Sequence, residues 1–179
     1  MPNLIKQGFS FIALAVVAGA ACAQSAPAAN QGAGPLDTIP EKMPFDLPYG
    51  APIGLERAEA AIAAAAAEAK RHDWKLNIAV VDSGGNLVAF QRMDGAQLAS
   101  IQISQHKAHT AVSFRRETKV FESGIQGGNN YVLTLDGVIG SRGGIPLVDN
   151  GKIVGAIGCS GGTGSQDEVA CKTGAATIK

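Results

Sequence analysis

The residues best equipped for chemistry are three histidines, two glycine-rich stretches that contain serine, and carboxylates set beside glycines. His106 and His109 stand three positions apart, a spacing at which two imidazoles on a helix can address one metal ion or one haem iron. Lys107 and Thr110 lie beside them. The plainer reading is a pair of solvated histidines on a polar face, since no Cys or further His completes a zinc spacing. His72 suits a helix C-terminus, where a cation is favoured. Gly158-Cys159-Ser160-Gly161-Gly162 spells the G-x-S-x-G of a hydrolase nucleophile elbow. All three histidines precede Ser160, however, whereas that fold places its His after the nucleophile. Gly151-Lys152 lacks the first Gly and the Ser/Thr of a phosphate loop, and residues 158–164 lack a dinucleotide spacing. Those glycines suit either an anion-binding nest at a helix start or a simple strand-to-helix turn.

The elements that must position these groups follow from local pattern. Residues 55–71 carry nine alanines and neither Gly nor Pro, which predicts a helix able to approach a sheet or a copy of itself closely. Residues 76–82 and 86–92 are β-rich runs separated by Ser83-Gly84-Gly85, and they read as a hairpin. Residues 98–114 read as a helix with Ile101, Ala108 and Val112 on one side. Gln102, Gln105, His106, His109 and Ser113 fall on another, facing solvent, a ligand or a second subunit. A short helix is expected near 118–122 and strands at 138–141, 145–149 and 152–160, the last two joined by a tight Asn150-Gly151 turn. Ser165-x-x-Glu168 has capping-box spacing, so a short last helix should start there and weaken or end at Gly174. The order predicts an α+β domain with a mainly antiparallel sheet and flanking helices.

The chain has 179 residues, 15 basic against 15 acidic, and 5% aromatics, values that suit one globular domain and supply neither a basic field nor stacking platforms for nucleic acid. Lys6, the apolar run 9–21 and Ala21-Cys22-Ala23 read as a signal peptide over 1–23, cleaved before Gln24. Rival readings are a lipoprotein lipobox at Gly19-Ala20-Ala21-Cys22 or an uncleaved anchor. The mature chain is thus expected to be exported, periplasmic or secreted, with no membrane span. Residues 24–50 are rich in Pro and Ala and read as a linker or a surface arm, with Phe45, Leu47 and Tyr49 available to grip its own domain or a neighbour. Residues 51–179 form the domain. Removal of Cys22 leaves Cys159 and Cys171, whose spacing does not establish a bridge; two separate buried thiols are the favoured reading.

Seven segments in order resemble one family. They are the Ala-rich helix, Ala79-Val80-Val81-Asp82-Ser83-Gly84-Gly85, Arg92-Met93-Asp94-Gly95, Lys107-Ala108-His109-Thr110-Ala111, Gly143-Gly144-Ile145-Pro146, Gly155 through Gly162, and Gln166-Asp167-Glu168. Together they are similar to the GlcG/HbpS family of small haem-binding, haem-degrading domains, and to the C-terminal domain of one type of corrinoid adenosyltransferase. The resemblance implies a PAS/profilin-like sheet with flanking helices, homo-oligomers, and exported members that bind haem or related tetrapyrroles at the surface. It also implies peroxide-dependent haem degradation or service as accessory to a sensor in some members. The region around Lys107, His109 and Thr110 matches the one from which an axial haem ligand is drawn. Thr110 holds the family's retained Thr position, while His106 and His109 are at variable ones; Cys159 departs from the residue usual before Ser-Gly-Gly.

The leading expectation is an exported, oligomeric haem- or tetrapyrrole-binding protein. His106, His109 or Thr110 would face the iron, and Arg92, Lys107 or Arg142 the propionates, because guanidinium and ammonium groups pair with carboxylates. Haem degradation is the catalytic extension of that reading. The alternatives are a PAS-like sensing or accessory module with an exported protein partner, and an enzyme acting on a hydroxy or oxo acid held by the loop 158–164. Asp82, Asp94 and Asp167 sit beside glycine turns, where backbone capping is the favoured role and ligand binding the other.

Overall fold

The structure is a computed structural model that describes residues 39–179; the signal segment, its cleavage site and the beginning of the arm lie outside the described residues. The body of the protein, Glu41–Lys179, is an α+β domain in the expected class. Its elements are α1 (Leu55–Arg71), β1 (Asn77–Asp82), β2 (Leu87–Arg92), α2 (Ala99–Ser113), α3 (Lys119–Gln126), a 3₁₀ turn (Asn130–Thr134), β3 (Gly144–Asp149), β4 (Lys152–Ser160) and α4 (Gly164–Ala175). The four strands are ordered β2-β1-β4-β3 with every neighbouring pair antiparallel. Among the described residues, no helix is long and apolar enough to cross a membrane.

Alternation along the central strands separates two cores. Ile78, Val80, Ile157 and Cys159 face the side covered by α1 and α4, where Ala61, Ile62, Ala65 and Cys171 meet them. Val81 and Ala156 face the other side and pack with Ala108, Ala111 and Val112 of α2. Close approach depends on small residues in both layers. A Cβ at Gly158 would come within 2.0 Å of the Ser104 carbonyl oxygen, so α2 lies directly on β4. A Cβ at Gly174 would reach 2.6 Å from the Ala61 carbonyl, which sets the α1–α4 distance. Gly174 therefore serves packing, and α4 ends one residue beyond it, at Ala175, as expected for this stretch.

Three expectations are corrected. The α4 capping box belongs to Thr163 and Gln166, two residues before the expected pair: the Gln166 N–H donates to Thr163 Oγ1 and the Thr163 N–H to Gln166 Oε1. Residues 138–141 are irregular, because the Ile139 N–H donates to the Thr110 hydroxyl instead of a ladder. Cys159 and Cys171 form a disulfide between β4 and α4, with Cα atoms 5.7 Å apart, rather than two separate thiols. Their side chains face one another across the α4 side of the sheet, a proximity that a twelve-residue spacing does not encode.

The arm grips its own domain. β1 stops opposite Gly155, and the backbone groups of Ile153 and Val154 beyond it bond to Pro48, Gly50 and Ile53 at 2.8 Å each. The Tyr49 hydroxyl donates to the carbonyls at the end of α2, 2.9 Å from Val112 O.

Candidate functional site

α2 has two working faces. Ser104, Lys107, Ala108, Thr110, Ala111 and Val112 turn inward and are buried, whereas His106 and His109 are exposed. The outward pair, with Gln105, meets Val81, Gly85 and Leu87 of the β1–β2 hairpin to form an open cavity of about 290 Å³.

The hairpin is shaped by Asp82. Its Oδ1 accepts the N–H groups of Gly84 at 2.8 Å and Asn86 at 2.9 Å, and Gly85 takes a φ of +85°. Burial raises the Asp82 carboxyl, but donations from Asn86, Gly84 and Gly85 outweigh it and hold the group below its ordinary value. Asp82 is thus a turn cap. The tight turn brings Gly85 against the imidazole: a Cβ there would stand 3.1 Å from His109 Cδ2 and 3.3 Å from Nε2. On the other side, a Cβ at Gly137 would lie 3.9 Å from His109 Cε1. The His109 ring therefore sits between two positive-φ glycines, at Gly85 and at Gly137 with φ +74°. Among the hydrogen bonds of the described residues, neither His106 nor His109 uses a ring nitrogen.

The inward residues have other duties. Lys107 Nζ donates to Asp167 Oδ2 at 2.8 Å and to the Cys159 carbonyl at 3.1 Å, and both side chains of the ion pair are nearly fully buried. Burial drives the Asp167 carboxyl upward, opposed by Lys107 and by the Gly162 N–H. Lys107 is thus an internal anchor and not a partner for a surface carboxylate. Thr110 Oγ1 donates to the Gly137 carbonyl at 2.7 Å and accepts from the Ile139 N–H at 3.1 Å. Its hydroxyl is buried and positions the loop that backs His109.

Arg142 is similarly occupied, with Nε 2.7 Å from Glu122 Oε1 and Nη1 3.4 Å from Glu168 Oε2. Arg92 lies in a separate basic cavity of about 300 Å³ with Lys70, Lys75 and Asp94. Leu87 and Arg92 stand at opposite ends of β2, roughly 17 Å apart at ~3.3 Å per residue. Of the six proposed residues, the structure brings His106 and His109 together in one open cavity.

The glycine loop satisfies its own helix. Gly162 and Thr163 give their N–H groups to Asp167 and Gln166, so the turn is a cap rather than an open nest. Ser160 Oγ bonds Ser100 Oγ at 3.0 Å inside the protein, apart from the histidines, and the hydrolase reading ends there. No group of three or more His, Cys, Asp or Glu side chains among the described residues is placed to hold a metal ion by itself. The Lys107–Asp167 pair, sixty positions apart, was invisible to local patterning; the two residues stand out only as members of separate motifs.

Residues 53–176 match the family model described as "Haem degrading protein HbpS-like". Protein GlcG of Escherichia coli (strain K12) is 42% identical over 108 residues, covering 60% of this chain and 81% of that protein. The crystal structure of HbpS superposes with a TM-score of 0.67 at 30% identity, covering 75% of this chain and 95% of that one. The crystal structure of a PduOC:heme complex gives 0.65 at 26% identity, covering 72% and 96%. With the matching segment spanning both cores, α2 and its histidine face, this chain belongs to the HbpS-like family.

Proposed function

We propose that the protein binds haem or a closely related tetrapyrrole on its surface, through the cavity beneath His106 and His109. The observation that carries this is the His109 imidazole, held between Gly85 and Gly137 with ring nitrogens free of hydrogen bonds to described residues. Imidazole is a natural ligand for haem iron, and Val81 and Leu87 supply apolar surface for a macrocycle edge. A cavity of about 290 Å³ receives an edge and leaves the rest exposed. The family description and the haem complex of a similar domain support the same ligand.

His109 is the first candidate for the iron because its ring is oriented by both glycine walls, and His106 is the second. Thr110 acts behind them by fixing the loop at Gly137 and Ile139. Lys107 and Arg142 are neutralised internally, so Arg92 remains for a propionate, contributed by a neighbouring copy in a homo-oligomer. The disulfide supports an exported, periplasmic or secreted protein, because such bridges persist in oxidising compartments. Bound haem would bring redox-active iron to this face. The family description names haem degradation; peroxide as its oxidant is part of this proposal, and the residues lining the cavity offer no carboxylate to serve as acid or base.

Titration of purified protein with hemin tests the reading. A saturable Soret shift at fixed stoichiometry is expected, with His109→Ala changing the spectrum more than His106→Ala. Broadening without saturation from folded protein would overturn it.

A further inference from the structure

A second cavity, of about 370 Å³, lies where the arm, α3 and the 3₁₀ turn meet, and it shares no lining residue with the histidine cavity. Its walls are aromatic, from Phe45, Phe114, Phe121 and Tyr131, and one guanidinium, Arg116, is set among them. Arg116 packs against the Phe45 ring at 3.2 Å and lies 5.3 Å from that of Phe121. Its Nε donates to the Phe114 carbonyl at 2.9 Å. The two Nη groups have no hydrogen-bond partner, and the side chain no carboxylate, among the described residues. Arg142, also half-buried, is paired with two glutamates and the fully buried Lys107 with Asp167, whereas Arg115, next to Arg116 in the chain, hydrogen-bonds only the Leu47 carbonyl among the described residues. Burial works against the Arg116 charge, Tyr131 opposes that in part, and the like charge of Arg115 adds to it, so the guanidinium is held below its ordinary value.

We propose that this cavity is a binding site for a small aromatic monocarboxylate, whose ring fills the aromatic walls and whose carboxylate takes the free edge of the Arg116 guanidinium. The planar fork of a guanidinium matches two carboxylate oxygens, and a cavity of this size suits a single-ring ligand. The wall composition selects for the ring, and the lone cation for one negative charge. A phosphate ester carries more charge and hydration than one half-buried cation in an apolar pocket compensates.

Benzoate is the probe, with benzamide as its neutral counterpart, titrated calorimetrically into apo and hemin-loaded protein while solution mass is followed. Saturable binding of one benzoate per chain is expected, at least tenfold tighter than benzamide and unchanged by hemin. Arg116→Gln should weaken benzoate at least tenfold. Because that change also loosens the contact with Phe45, Gly124→Leu provides a second variant. Gly124 lines the cavity from α3, and a Cβ there meets nothing closer than 3.7 Å, so the larger side chain fills the space with Arg116 intact. It should abolish binding. Equal affinity for benzamide, undiminished binding by both folded variants, or no saturable binding would overturn the proposal. So would competition with hemin, which would merge the two cavities, or loss of binding in step with dimerisation, which would assign the cavity to a second copy. Hemin binding without benzoate binding would defeat this inference alone, and the reverse result the haem reading alone.

Discussion

His106 and Lys107 are adjacent in the chain and opposite in role. The Lys107 ammonium is sealed between Asp167 and the Cys159 carbonyl, while the His106 imidazole opens onto a cavity. One helical step of about 100° separates a residue that holds the fold from one free to bind. The same division repeats at Thr110, buried and fully bonded, and His109, exposed between glycines. Type alone did not reveal it: all four residues suit a haem site by chemistry, and only the face each occupies decides.

The sharpest way to break this division is Lys107→Met. It strands a buried carboxylate, so chemical denaturation should show a loss of about 3–5 kcal/mol. Pairing it with Asp167→Leu should recover most of that. A loss as small as that of a surface change would mean Lys107 is not an internal anchor. Next is the disulfide, which secures the strand whose carbonyl Lys107 holds: Cys159→Ser with Cys171→Ser should cost about 3 kcal/mol, since a loop of this length gives roughly that in the chain-entropy view. Thr110→Val should cost about 1–3 kcal/mol by stranding the Gly137 carbonyl and the Ile139 N–H, and should blur the hemin spectrum only indirectly.

A smaller effect comes from pH. Burial raises the Glu168 carboxyl, but Lys172 and Lys119 outweigh it, leaving the group below its ordinary value. A depressed carboxyl stabilises the fold above the unfolded value, about 4.3, and that contribution is lost as pH falls through the folded value. Glu168→Gln should therefore flatten the acid limb of the stability profile by about 1 kcal/mol or less, as its lysine partners are half exposed.

The helices and sheet were legible where local pattern decides. The alanine-rich segment runs from Leu55 to Arg71 as expected, and the strand ends agree to within a residue because glycine turns punctuate them. Patterning failed where a distant partner decides. Residues 138–141 look like a strand but lose a ladder donor to Thr110, and the end of α4 near Gly174 was legible while the contact of Gly174 with α1 was not. The histidine face could be read from helical phase. Its glycine walls could not, because Gly85 and Gly137 reach His109 only through the tertiary fold.

The most direct test of the central claim is a hemin titration of wild-type protein against the double variant His106→Ala, His109→Ala, with thermal unfolding recorded on the same samples. The account predicts that the double variant loses the saturable Soret shift or changes its band, while its stability stays within about 0.5 kcal/mol of wild type, as for other exposed positions. An unchanged Soret spectrum with full occupancy would contradict it and remove both histidines from the haem site.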